Sequence, residues 1–269
     1  MLSDYIDVVH TRYQPRFAFY RNDEMIGFSI QHYGEYQQIE LDLLLQLINE
    51  NTVVYDIGSN IGYHASAFAS KSSNVHCFEA NPEHYKILKL NLQENTRCHL
   101  HSTALGAKDG TILVETFDPT QIKNYGAVRV GTDTGIPVPV RALDNFTTLP
   151  VPHLIKLDVE GHELPVLLGA QQLIAAHLPV IYFEAQETQD LPEIYRMLTN
   201  LNYQLKWVCV HNYNSNNFYN NAIDHFNRSA IFSILAYQPG VIANTDLEDV
   251  QGPTDSWQQV LARHNQRHV

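Results

Sequence analysis

From Asn51 onward the chain alternates short β-branched runs with helical patterns, and this alternation limits its fold more than any other feature. Strand and helix in regular succession call for parallel strands in one sheet, with crossover helices covering both faces. The runs "TVVYDIG", "NVHCFEAN", "RCHLHSTALG", "HLIKLDVEG" and "LPVIYFEAQE" read as strands. Between them, "YHASAFASK" reads as a helix of small residues, and "PEHYKILKLNLQEN" as one that opens on Pro82 and aligns Tyr85, Leu88 and Leu92 on one face. "HELPVLLGAQQLIAAH" reads as a single helix, with Pro165 tolerable only in its first turn. After the helix "LPEIYRMLTNL", "YQLKWVCV" and "SAIFSILAYQ" are expected to finish the sheet as an antiparallel pair around an Asn-rich loop. The fold class predicted is α/β, a doubly wound and mostly parallel sheet.

The rhythm changes between Lys108 and Arg141. There "GTILVETF", "GAVRV" and "IPVPV" read as short antiparallel strands, an insertion of about residues 108–141 near the ligand edge. Residues 1–50 form an N-terminal extension too short to bury a core of its own. In it "FAFYRNDEMIGFSIQHYGEY" reads as a hairpin, and "QQIELDLLLQLIN" as a helix with Ile39, Leu43, Leu44 and Leu47 on one face. The main domain is expected over 51–240, followed by a 241–269 tail with a surface helix in "DSWQQVLARHNQRH".

Charge and composition exclude several functions. Among 269 residues there are 29 acids and 17 Lys and Arg, a net charge of -12, which disfavours nucleic acid as a partner. No uncharged apolar run is long enough to span a bilayer. The first residues lack the basic end and apolar core of a signal peptide. Cys77, Cys98 and Cys209 are odd in number and form no CxxC pair, as expected of reduced thiols in a cytoplasmic protein.

The chemistry begins at "VVYDIGSNIGYHA", Val53 to Ala65. A buried strand ends in Asp56, Gly58 starts a tight turn, and Gly62 opens a helix. Open α/β sheets bind ligands at this carboxyl edge. A dinucleotide turn needs glycine where a pyrophosphate approaches the backbone, and Asn60 stands there instead. That substitution, with an acid beside it, disfavours an NAD-dependent oxidoreductase and suits a ligand that is cationic and lacks phosphate. The next strand ends at Glu79, near the spacing expected of a ribose-binding acid. Ribose without pyrophosphate points to S-adenosyl-L-methionine.

Together "VVYDIGSNIGYHA", "FEANP", "ALGAKDG" and "IKLDVEGHE" resemble the FkbM family of S-adenosylmethionine-dependent methyltransferases, in the family's order. "YGEYQQIELDLLLQLI" is similar to the family's lead-in helix. The resemblance implies a Rossmann-like methyltransferase sheet and methyl transfer to oxygen, with a small-molecule or carbohydrate hydroxyl as acceptor. At the matching positions it implies that Asp56, Gly58, Asn60 and Gly62 wrap the methionine end of the cofactor and that Glu79 holds the ribose. It further implies Thr103 and Ala104 beside the adenine, and Asp158 where donor and acceptor meet. The family often has an aromatic pair and Thr after the second glycine, and Glu after the lead-in Tyr. This chain has Tyr63, His64 and Ala65, and Gln37.

"KLDVEGHE" crowds Asp158, Glu160, His162 and Glu163 onto one strand end. Glu163 reads as an acid favoured at a helix N-terminus. Asp158 is expected to align the acceptor or take its proton, with Glu160 beside it. His162 is an expected acceptor contact, and His162 and His64 are alternative bases. Carboxylates beside a histidine would also suit a divalent ion bridging to the acceptor, but no metal is expected. "HNYNSNNFYNN" is expected to fold over the acceptor, with Tyr213 and Asn217 in contact, and the insertion to add Asn124 and Tyr125. A non-catalytic nucleotide-binding module on the same fold is the other class of reading, though it would have no need of Asp158 and Glu160 beside the ligand.

Overall fold

The computed structural model describes residues 4–186, 189–242 and 246–266. Its N-terminal part is a two-stranded hairpin, β1 (Ile6–Val9) against β2 (Phe17–Tyr20), followed by helices α1 (Ile26–Tyr33) and α2 (Gln38–Leu44). The hairpin expected within 17–36 is therefore corrected: its first strand pairs with upstream residues, and its second half is helical. Asp23 starts that helix by accepting hydrogen bonds from the backbone N–H groups of Met25 and Gly27 at 3.1 and 3.0 Å. Gly34, at φ 68°, ends it. Helix α2 is shorter than expected, and its buried face carries Gln38, Glu40, Leu41 and Leu44 rather than Ile39, Leu43 and Leu47. Of its polar members, Gln38 donates to Tyr13 Oη and Asp42 Oδ1 at 2.7 Å, and Glu40 lies 3.3 Å from His64 Nε2.

The main sheet grows outward through β3 (Val53–Ile57), helix α3 (Tyr63–Ala69), β4 (Asn74–Glu79), helix α4 (Pro82–Leu92) and β5 (Cys98–Ser102), all three strands parallel. Asn81 caps α4, its side-chain oxygen accepting from Glu83 N at 2.9 Å, with Pro82 following at the first helical position. The long third strand expected from the sequence is split after Ser102. Ala104–Leu105 (β6) leaves for a separate three-stranded sheet with β7 (Gly110–Val114) and β8 (Ile136–Arg141). In that sheet β7 and β8 are antiparallel, whereas β6 and β8 are parallel. "GAVRV" adds only a bridge between Val130 and Val114, correcting its assignment as a strand.

The chain then returns through β9 (Leu154–Leu157), helices α5 (Glu163–Leu168) and α6 (Gln171–His177), β10 (Val180–Glu184) and helix α7 (Leu191–Asn200). The single helix expected over 162–177 is broken at Ala170, which leaves helical geometry at φ -117° and ψ 12°, beside Gly169, where a Cβ would lie 2.0 Å from Gly106 O. Strands β11 (Gln204–His211) and β12 (Ala230–Tyr237) form the antiparallel pair, and β13 (Glu248–Asp249) borders β11. The spatial order is β13-β11-β12-β10-β9-β3-β4-β5. Helix α8 (Trp257–Gln266) is not a purely surface helix, since Val260 is fully buried and Asp255, just before it, accepts from Trp207 Nε1 at 2.9 Å.

Both faces of the sheet are covered by apolar cores. Val54, Ala65, Leu88 and Leu154 lie in one, and Val53, Tyr55, Ile155 and Val166 in the other. Strand order reverses between β3 and β9, so the chain leaves these neighbours in opposite directions and a crevice opens beyond their carboxyl ends.

Candidate active site

The crevice is built on the turn after β3. Gly58 donates its N–H to Phe78 O at 2.9 Å, and Gly62 donates to Ser59 O at 2.8 Å. Gly58 has φ 79°, and a Cβ on it would lie 1.8 Å from Asp158 O, so only glycine fits between the two strand ends. Asn60 adopts φ 50°, and its N–H reaches Glu79 Oε2 at 2.8 Å, while Glu79 Oε1 accepts from Asn81 N at 2.7 Å. One carboxylate thus ties the β3 turn to the β4 turn. Burial pushes the Glu79 carboxyl up to about 7, although both backbone donors favour the charged form. His84 Nδ1 lies 3.9 Å from Glu79, but burial drives its pKa down to about 3, so the contact is with a neutral ring.

Two lobes meet over this turn. One, of about 500 Å³, is lined by Gly58, Glu79, Thr103, Ala104, Asp158 and His162, among others. The other, of about 530 Å³, includes Gln37, Tyr63, His64, Lys156, Asp158 and Glu184. Gly58, Asn60, Gly126, Asp158 and Glu160 border both.

Of the residues singled out from the sequence, Gly58, Asn60, Glu79, Thr103, Ala104, Asp158, Glu160 and His162 come together around the first lobe. Asp56 and Gly62 stand behind it. Asp56 is fully buried, and Gly62 lets the turn settle on Leu88 and Leu92. His64 lines the second lobe, with Nε2 3.3 Å from Glu40. Glu163 turns back to accept from Val159 N at 3.1 Å, and burial raises its carboxyl to about 7.

Four expected acceptor contacts line neither lobe. Tyr125 is core, stacked on Phe117 and donating its hydroxyl to Gln121 O at 2.6 Å. Asn124 precedes Gly126 without itself bordering the cleft. Tyr213 and Asn217 both donate to Asn221 O, so the Asn-rich loop uses these side chains to satisfy its own backbone.

The sequence reading missed Lys156, Glu184 and Glu40. Lys156 is 2% exposed, and its ammonium stands 3.1 Å from Asp158 Oδ2 and 3.6 Å from Asp56 Oδ1. Burial works against its charge, but Asp158, Asp56 and Glu40 outweigh it and hold its pKa above the ordinary lysine range. A lysine inside an otherwise apolar strand was the available signal. Glu184 ends β10 as Asp158 follows β9, and its carboxyl sits well above the usual range through burial and then through Asp158 and Glu160.

The fold and the crevice define a doubly wound α/β protein with a cleft across a glycine turn at the switch point. More narrowly, a model of the FkbM methyltransferase domain matches residues 56–205, over half of the chain, and the chain belongs to that family. It is 35% identical over 138 residues to the hexuronic acid methyltransferase AglP of Haloferax volcanii, covering 49% of this chain and 56% of that relative. The chain therefore spans little more than half of the relative's length. Among solved structures, an FkbM methyltransferase from Methylobacillus flagellatus aligns with a TM-score of 0.49 at 19% identity, over 70% of this chain and 44% of that one. A tRNA (uracil-54, C5)-methyltransferase from Pyrococcus abyssi, in complex with S-adenosyl-L-homocysteine, aligns with a TM-score of 0.49 at 11% identity, over 87% and 44%. Among the described residues, no helix is long and apolar enough to cross a membrane.

Proposed function

We propose that the chain is an S-adenosylmethionine-dependent O-methyltransferase acting on a sugar hydroxyl. The observation that carries this reading is the placement of Glu79. Its buried carboxylate borders the first lobe and keeps lone pairs beyond the two used by backbone donors. A vicinal diol suits it, whereas a pyrophosphate meets the Asn60 side chain and three carboxylates. Glu79 would hold the ribose, Thr103 and Ala104 would flank the adenine, and Gly58 and Asn60 would lie along the chain leading to sulfur. When bound, the cofactor supplies a methyl group on a sulfonium centre. Asp158 and Glu160, at the junction of the lobes, would then align the acceptor hydroxyl and receive its proton. Lys156 would hold the Asp158 carboxylate in place through its 3.1 Å contact. The relative's name makes a hexuronic acid the acceptor class to screen first.

The test is calorimetric titration with S-adenosylhomocysteine and, separately, with NAD, on the natural chain and on Glu79→Gln. Binding of the first ligand alone, weakened about tenfold or more in the variant, is expected for a ribose diol on a charged acceptor. Binding of NAD, or of neither ligand, would overturn the reading.

A further inference from the structure

Asp158, Glu160 and Glu184 converge on the wall of the second lobe. One carboxylate oxygen from each lies within 4.8 Å of the others. Oxygen ligands on opposite sides of a hard cation are separated by about 4 Å for Mg²⁺ and about 5 Å for Ca²⁺, so this spacing fits such an ion with little movement. A second, independent feature is Gln37. The residue is 9% exposed, it lines the lobe with all three acids, and its amide oxygen has no hydrogen-bond partner. An orphaned neutral oxygen beside three carboxylates calls for a positive charge or a proton donor. Lys156 does not fill that place, because its ammonium is held between Asp56 and Asp158 on the sheet side.

We propose that Asp158, Glu160 and Glu184 form a divalent-cation site of the hard, oxygen-ligand kind, with the amide oxygen of Gln37 as a neutral fourth ligand. This set differs from the one the sequence brings to mind, since His162 borders the other lobe and Glu163 turns back to its own strand end. A cation there would meet the acceptor's oxygens. On the methyltransferase reading, on which this clause rests, it would let an anionic sugar approach a wall of carboxylates.

Untagged protein freed of metal with chelator should bind one Mn²⁺ per chain, followed by electron paramagnetic resonance, and Mg²⁺ should displace it. Glu184→Gln should weaken Mn²⁺ binding by about tenfold or more, as loss of a charged ligand does. Gln37→Leu should weaken it less, and Glu163→Gln should leave it unchanged. If Glu184→Gln does not fold, terbium luminescence decides instead. Tyr36 and Tyr63 line the lobe with all three acids and Tyr182 borders two of them, so Tb³⁺ held there should show tyrosine-sensitised emission that Mg²⁺ displaces. No Mn²⁺ bound by the natural chain, equal affinity in Glu184→Gln, or no tyrosine-sensitised terbium emission from the natural chain would overturn the site. S-adenosylhomocysteine titrated into the same metal-free samples separates the two ideas. Its binding without any Mn²⁺ site would leave the methyltransferase reading standing alone, and Mn²⁺ binding without it would do the reverse.

Discussion

Lys156 stands opposite Asp56 in the register of β3 and β9, its ammonium 3.6 Å from a carboxylate that has no solvent exposure. Asp158 completes the arrangement at 3.1 Å. Removing one partner from a buried pair leaves the other charge uncompensated. Lys156→Met, which strands two carboxylates, should cost about 3–5 kcal/mol. Asp56→Asn leaves the ammonium still paired with Asp158 and should cost about 1–3 kcal/mol. Urea unfolding of both variants checks the order, and equal costs would mean that the Asp158 contact contributes nothing to stability.

This pair also marks where sequence reasoning stops. The positions of Asp56, Gly58, Glu79 and Asp158 could be read locally, because strand period and turn residues fix where a strand ends. That Lys156 faces Asp56 depends on β9 lying beside β3, a neighbour relation across 100 positions that no local pattern carries. Glu184 and Gln37 reach the cleft from two further elements for the same reason. The converse limit concerns Tyr125, Tyr213 and Asn217, which line neither lobe. Asn and Tyr in a loop have the same composition whether they face a ligand or saturate the loop's own backbone, and here Asn217 does the latter in both directions with Asn221.

Glu79 and Glu163 should make the free protein more stable in mild acid. Both carboxyls titrate near 7 in the fold against 4.5 for the free side chain, raised chiefly by burial. The folded chain therefore retains protons that the unfolded chain releases over that interval. Their stabilising effect is full below 4.5 and is lost as pH rises through 7, by an amount of order 3 kcal/mol for each group. Melting curves between pH 5 and pH 8 should show the loss, and either Gln variant should flatten it. Ribose hydroxyls donating to Glu79 would favour the ionised form, so S-adenosylhomocysteine binding near neutral pH should release protons. Calorimetry in two buffers of different ionisation enthalpy would detect them, and proton uptake would contradict the assignment.

The two glycines of the turn should respond differently to alanine. Each has positive φ, a cost of about 1–2 kcal/mol for any side chain. At Gly58 the new methyl also meets the Asp158 backbone at 1.8 Å, whereas at Gly62 it meets Leu88 Cδ1 at 2.7 Å, the end of a side chain that can yield. Gly62→Ala should fold with a lower Tm and keep S-adenosylhomocysteine binding. Gly58→Ala should lose the ligand even where it remains folded, because β3 and β9 must part. Retained binding in Gly58→Ala would show that the two strand ends need not stay together.

Asp158→Asn keeps the shape of the junction and removes its charge. Turnover should fall by about 10²–10⁴, the usual contribution of a positioned acid or base, while cofactor affinity changes little. Glu160→Gln should cost less, since Asp158 is the carboxylate that the Lys156 ammonium fixes at 3.1 Å. Single-turnover methyl transfer with separately measured cofactor binding distinguishes the effects. Near-normal turnover in Asp158→Asn would remove this residue from the chemistry.

The Asn-rich loop should prove to be pinned rather than a moving cover, because Glu35 holds it from beneath. One Glu35 oxygen accepts from Arg12 Nη2 at 2.6 Å and from Phe218 N at 2.9 Å, and the other accepts from Asn214 Nδ2 at 2.8 Å. Tyr219 adds a bond from its hydroxyl to His10 O. Arg12 and residues 214–219, none of which lines either lobe, are thus joined through one buried carboxylate. Glu35→Gln removes the charge while keeping an acceptor, and should cost about 1–3 kcal/mol because Arg12 is partly solvated. Proteolysis within 211–221 and exchange of the Phe218 amide should both accelerate, with S-adenosylhomocysteine affinity unchanged. If affinity fell in step with loop release, the loop would belong to the binding site after all, and Tyr213 and Asn217 would regain the role that their side-chain bonds now deny them.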